Sequence, residues 1–175
     1  PILENMNCGK SRDWFTVAAR EHRWPDYIGK MDVDTFVHAS KLLSILRDVS
    51  TPCEHVFGGK PWMCPPEKKA CPPPQCWEDG GGMEFPTRRT GTYDFLQVDN
   101  ASHPECWHYM QGGFYFMSRQ LAQEVTESDE DWRAFDARHD FEDASTGHAI
   151  TEYARKRAGT CVAGMNIEKT FEHLR

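Results

Sequence analysis

Residues 27–37, YIGKMDVDTFV, place the tightest constraint on how this chain can fold. The run is apolar and β-prone, which predicts a strand, yet it carries two aspartates one residue apart. Side chains alternate faces along a strand, so Asp32 and Asp34 are expected on one side and Val33 on the other. Two carboxylates brought that close are costly to desolvate unless a cation or hydrogen-bond donors compensate them. The spacing therefore predicts a metal site at a strand end. An Asp-x-Asp pair is also common in solvated turns and helix caps, so the rest of the chain has to carry the assignment. A calcium loop is one alternative, but it needs oxygen ligands at alternate positions, a glycine and a distal glutamate. Val33 and Phe36 break that pattern.

A sheet built around such a run needs a core, and the 175-residue chain can supply one. Its hydrophobic content is 39%, with ten Phe, six Trp and five Tyr. The formal charge of −7 argues against nucleic acid or an anionic membrane surface as the main partner, because both reward basic patches. No stretch approaches the roughly 18 consecutive apolar residues of a membrane span, and residues 1–4 lack the basic-then-apolar pattern of a leader. Four of the seven cysteines, Cys53, Cys64, Cys71 and Cys76, crowd into one span. That usage predicts an oxidising compartment and disulfides, with connectivity open and at least one thiol unpaired or paired outside the chain. A zinc site from Cys64, Cys71 and Cys76 competes, but spacings of six and four intervening residues do not match the short knuckles of a zinc ribbon.

Ahead of the acidic run, residues 11–21 predict a short helix capped by Ser11, with Trp14, Phe15, Ala18 and Ala19 as its apolar stripe. The preceding Cys8-Gly9-Lys10-Ser11 ends like a phosphate-binding loop, but Glu4 stands where that loop needs glycine and no apolar strand comes before it. Behind the run, residues 38–49 place Ala39, Leu42, Leu43, Leu46 and Val49 at helical spacing, an amphipathic helix for the face of a sheet. Strand, acidic pair, helix is the order that puts ligands at the carboxyl end of a strand in open α/β sheets. Residues 52–92 carry Pro-Pro, Pro-Pro-Pro and Gly-Gly-Gly runs and read as a Cys/Pro/Gly-rich insertion around a short strand at 55–57.

Further on, residues 93–98 predict a strand, and YMQGGFYFMS, residues 109–118, an aromatic one. The latter opens on Gly112-Gly113 and ends at a helix cap, Ser118, ahead of Leu121, Ala122 and Val125. The glycine pair reads equally as a bulge or as bare backbone against a substrate. ESDED, residues 127–131, reads as a solvated loop. In HDFEDASTG, residues 139–147, Glu142 and Asp143 fall in the first turn of a helix that continues through Ala149, Ile150, Tyr153 and Ala154, where capping is their simplest role. Gly159 would end that helix and residues 160–164 form a last strand. His173 is a lone histidine near the end of the chain and says little unaided.

Taken in order, YIGKMDVDTFV, YMQGGFYFMSRQLA and FEDASTG resemble the β-1,3-glycosyltransferases of the galactosyltransferase and fringe type, glycosyltransferase family 31. That family has a Lys-x-Asp-x-Asp-x-Phe-Val strand, a glycine-pair and Tyr-x-x-Ser strand–helix junction, and an acidic pair with a glycine four residues beyond. The likeness covers residues 5–147, with the insertion divergent; Val33 stands where the family commonly has a third acid, and the junction differs at its first position. The resemblance implies an α/β, GT-A-like three-layer sandwich with a mixed central sheet, a single domain over residues 1–175 with the insertion at 52–92. It also implies an inverting transfer of a hexose, galactosyl or N-acetylglucosaminyl, from a UDP-sugar through Mn2+ or another divalent cation, making a β-1,3 linkage on a glycan or glycoprotein acceptor.

Residue by residue, Asp32 and Asp34 match the metal and nucleotide motif opened by Lys30, and Gly112 and Gly113 match the junction lining the cleft. Asp143 matches the general base, with Glu142 next in line, and His173 matches a late metal ligand. The chemistry suits these types: a hard cation held by oxygens neutralises a departing nucleoside diphosphate, and one carboxylate can take the proton of an acceptor hydroxyl. Relatives reside in the Golgi lumen as type II membrane proteins, so a lumenal or secreted location is expected, with any anchor lying outside this chain. Only 31 residues precede Asp32, so the chain is expected to lack the nucleotide-binding first part of the domain. The rival expectation is a disulfide-rich, non-catalytic glycan- or protein-binding module derived from the same fold.

Overall fold

The computed structural model describes residues 9–62, 92–96, 107–128, 130–137 and 141–174. Cys64, Cys71 and Cys76, the Pro and Gly runs of the insertion, and residues 97–98 of one expected strand lie outside them. The first element is α1, Lys10–Glu21. Its N-cap is Gly9, at φ 81°, a left-handed conformation that glycine adopts without penalty. Ser11 is therefore inside the helix and is not its cap. Phe15, Ala18 and Ala19 form the buried stripe, while Trp14 is half-exposed and donates its indole N–H to the Gly29 carbonyl at 3.0 Å.

Strand β1, Tyr27–Met31, stops before the aspartates, and β2, Thr35–Val37, follows a turn. The continuous strand expected over 27–37 is thus broken. The Asp32 N–H donates to the Gly113 carbonyl at 3.0 Å, Thr35 N–H returns to the Asp32 carbonyl at 3.1 Å, and β2 leaves to pair with β9, Phe171–His173. Val33 is fully exposed at the turn.

The main sheet has five strands: β1, then β7 (Phe114–Ser118), β3 (His55–Gly59), β8 (Val162–Asn166) and β5 (Thr92–Asp94). It is mixed, since β3 and β8 run parallel while the other neighbours are antiparallel. Period-two alternation sorts its side chains. Ile28, Phe57, Tyr115 and Met117 face the helices α1, α3 (Arg119–Glu127) and α5 (Glu142–Lys156). Val56, Phe114, Phe116, Ala163 and Met165 face the other way, where Leu42, Ile45 and Leu46 of α2, Ala39–Arg47, pack half-buried against them. Helices, sheet and α2 make the three layers of the α/β sandwich.

Three residues of the ESDED segment are helical where a solvated loop is expected. Glu127 ends α3, and Glu130 and Asp131 open α4, Glu130–Asp136, because burial of Trp132 and Phe135 draws that stretch into a helix whose first turn favours acids. A short pair, β4 (Pro61–Trp62) with β6 (Tyr109–Met110), stands apart from the main sheet, and a 3₁₀ turn, Glu168–Thr170, precedes β9. Among the described residues, a disulfide joins Cys53 to Cys161 across 108 residues, just ahead of the parallel strands β3 and β8.

Candidate active site

The acidic turn, the glycine pair and the start of α5 come together at one end of the sheet. Strand β1 delivers Lys30 and then the turn at 32–34. The chain between β6 and β7 runs beside it as Gln111-Gly112-Gly113, held at its near end by the Gln111 N–H donating to the Lys60 carbonyl at 2.8 Å. Two hydrogen bonds then join the three motifs. The Gly113 carbonyl accepts from Asp32 N–H, and the Gly112 N–H donates to Asp143 Oδ2 at 2.9 Å.

Both glycines are explained by close approach. Neither has the positive φ found at Gly9 and Gly159. A Cβ on Gly113 would sit 2.4 Å from His173 Nε2 and 3.2 Å from Thr35 Oγ1, and one on Gly112 would sit 3.3 Å from Asp143 Oδ2 and 3.6 Å from Asp32 Oδ2. The register Thr35↔His173 brings the late histidine to the site, and Leu174 N–H donates to the Asp34 carbonyl at 2.6 Å, holding that end of β9 against the acidic turn. The buried Thr35 Oγ1 has no hydrogen-bond partner among the described residues.

Lys30 Nζ donates to Asp32 Oδ1 at 2.7 Å and also to Glu142 Oε1, with the Tyr115 ring beneath it at 5.7 Å. Burial works against its charge, but Tyr115 and the hydrogen bonds to Asp32 and Glu142 outweigh burial and hold the ammonium above its ordinary range. Asp143 moves up as well. Burial is the larger cause, only partly offset by N–H donation from Ala144 and Gly112 and by the charge of Lys30. A carboxylate so placed is a better proton acceptor than a solvated one. Asp34 is exposed, and its carboxylate makes no hydrogen bond or ion pair with the described residues.

Every residue singled out from the sequence lies here: Lys30, Asp32, Asp34, Gly112, Gly113, Glu142, Asp143 and His173. Sequence reasoning missed Thr35, and it missed Ser11 and Tyr115, which sit behind Glu142; their signal is tertiary, since Ser11 and Glu142 are 131 residues apart. Among the described residues no three His, Cys, Asp or Glu side chains converge tightly enough to hold a metal ion as they stand. The donor set of Asp32, Asp34 and His173 nonetheless suits a divalent cation chemically, and the unpartnered Thr35 hydroxyl lies beside the same Gly113 cradle.

Gly113→Ala tests that cradle. The atom in the way is the end of an exposed histidine, which can swing aside, so the variant is expected to keep its melting temperature within about 2 °C while the imidazole leaves the site. A 15N shift series of His173 reads the displacement; an unchanged imidazole environment would contradict it.

The sequence model of a family described as Galactosyltransferase matches residues 5–157 of the chain. Among curated proteins no match was found.

Proposed function

Because the chain belongs to the galactosyltransferase family, whose members are glycosyltransferases, we propose that it moves a hexose from a UDP-sugar to a glycan hydroxyl with inversion, making a β-1,3 linkage. The observation that carries this reading is the double tie through the glycine pair, which sets Asp143 beside the acidic turn. An inverting transfer needs one base on the acceptor side and charge compensation on the donor side. Asp143 is the base: its carboxylate accepts the proton of the acceptor hydroxyl as that oxygen attacks the anomeric carbon. Gly112 N–H holds Asp143 in orientation, and partial burial keeps its proton affinity above that of a solvated aspartate.

Asp34, with Asp32 and His173, would hold a divalent cation such as manganese. When bound, the cation would supply positive charge for the diphosphate leaving group. Lys30, already opposite Asp32 and Glu142, steadies the carboxylates. A lumenal or secreted setting accords with the Cys53–Cys161 disulfide, and no described helix is long and apolar enough to cross a membrane.

Asp34→Asn tests the donor half. Manganese-dependent UDP binding, read by calorimetry, is expected to weaken at least about tenfold, and transfer with it, whereas Asp143→Asn leaves UDP binding near the wild-type value. UDP bound equally well by Asp34→Asn and wild type would remove Asp34 from the site. One observation favours the rival reading of a non-catalytic module: Lys30 already occupies one oxygen of Asp32. Glycan binding that is independent of both UDP and manganese, with no transfer from any UDP-sugar, would select it.

A further inference from the structure

Lys30 and Glu142 are 112 residues apart in sequence, and their side chains meet with only 10% and 12% of their surfaces exposed. A buried ion pair is a poor source of net stability, because removing both ions from water offsets most of their attraction. Its value lies in geometry, and this pair has attachments on both sides. Towards the acidic turn, Lys30 Nζ also donates to Asp32 Oδ1. Towards the core, Glu142 Oε2 accepts from the Ser11 hydroxyl at 2.9 Å, and Ser11 Oγ accepts from the Tyr115 hydroxyl at 2.9 Å. Tyr115 also reaches Thr146 Oγ1 at 3.3 Å, and Thr146 donates to the Glu142 carbonyl at 2.8 Å. Ser11, Tyr115 and Thr146 are buried.

Both oxygens of Glu142 are therefore engaged, one by an ammonium and one by a hydroxyl anchored in the core. Among the described residues, the carboxylate of Asp143, the next residue, accepts hydrogen bonds only from backbone N–H groups, those of Gly112 and Ala144. The two neighbouring carboxylates of the FEDASTG motif thus sit in different environments: one is tied into a side-chain network, the other faces the glycine turn.

We infer that Lys30 and Glu142 form a buried strap that fixes the acidic turn against the first turn of α5, and that Glu142 is a positioning residue, not the base and not a cation ligand. The inference rests on the proposed reading in which Asp143 is the base. The strap works through the backbone: Lys30 holds Asp32, whose N–H holds Gly113, whose neighbour Gly112 holds Asp143. Removing it loosens the distance between donor-side and acceptor-side carboxylates without removing either. A misplacement of about 1 Å in such a site lowers turnover by up to about 100-fold.

The test separates positioning from stability and from chemistry. Lys30→Met alone leaves Glu142 buried and unpaired, so the informative variant is the double Lys30→Met/Glu142→Leu, in which both charges go. It is expected to melt within a few degrees of the wild type. Amide hydrogen exchange at Asp32 and Gly112 should accelerate about tenfold, and kcat should fall about 10–100-fold with a smaller change in donor KM. Wild-type exchange at both amides in the double variant would overturn the strap, whether or not any sugar is transferred. For the role of Glu142, the single Glu142→Gln is expected to keep the acid limb of the kcat/KM profile where the wild type has it. Loss of that limb, with transfer down about 10⁴-fold, would make Glu142 the base and overturn the assignment. Full transfer by Asp143→Asn would instead refute the base reading, and the exchange result would stand by itself.

Discussion

Asp143→Asn is expected to lower kcat for sugar transfer by about 10²–10⁴-fold, the range spanned by positioned general bases, while UDP binding stays near wild type. Asparagine is nearly the same shape, so the loss reports the proton acceptor and not the packing. The pH profile supplies the second reading. Burial, more than any other influence, raises the Asp143 pKa, and the N–H bonds from Ala144 and Gly112 only partly counter it. A base must be ionised to act, so wild-type transfer should fall as pH drops through a value above the ordinary aspartate range, and the variant should lose that limb.

The effect on stability is the balance of two opposing changes. A raised folded-state pKa means that the fold favours the neutral carboxyl. That contribution is present below the unfolded pKa and is lost as pH rises through the folded one. At neutral pH asparagine relieves this penalty. It also offers one oxygen where Asp143 offers two, so either Gly112 N–H or Ala144 N–H loses its acceptor, at about 1 kcal/mol. The two changes offset, and the melting temperature should move by a few degrees at most. Wild-type turnover with an unaltered acid limb would sink the assignment.

Local periodicity was legible in the sequence because it is a short-range property. Of the first stripe, Phe15, Ala18 and Ala19 are buried while Trp14 is exposed; Leu121, Ala122, Val125 and the face Ala149, Ile150, Tyr153, Ala154 are all buried as their spacing predicts, and Glu142 and Asp143 open α5. The acidic run shows where that kind of reading stops. Its eleven residues look like one strand, yet the Gly113 carbonyl and the pairing with β9, both supplied from far along the chain, turn it at Asp32. Asp32 and Asp34 do end up at the site, but by a turn and not by strand alternation. In sequence Ser11 reads as a cap because its partner is 131 residues away, and Cys53 reads as part of a crowded cysteine span because its partner is 108 residues away. The three motifs do come together in space even so, through the Gly113 carbonyl and the Gly112 N–H: a family pattern records tertiary proximity that no single window contains.

Gly147→Ala is expected to destabilise the fold by about 2 kcal/mol, reversing the usual effect of this change inside a helix, where alanine gains up to about 1 kcal/mol over glycine. The helix α5 crosses β6 so closely that a Cβ at Gly147 would lie 2.4 Å from Tyr109 Cβ, 2.6 Å from the His108 carbonyl oxygen and 2.7 Å from Tyr109 Cα. These are backbone atoms or atoms fixed to it, so no rotamer change relieves the contact, unlike the free-swinging imidazole opposite Gly113. The glycine of the FEDASTG motif thus serves packing, and it serves the site through packing: it lets α5 approach β6, and β6 leads directly into Gln111, Gly112 and Gly113. For a chain of this size the loss corresponds to a fall in melting temperature of about 4–8 °C. Forcing α5 outward also moves Asp143 away from the Gly112 N–H, so turnover should drop at temperatures where the variant is still fully folded. A wild-type melting curve for Gly147→Ala would mean that α5 can retreat from β6 freely. The distance between the base and the glycine turn would then be set by the Lys30–Glu142 strap alone.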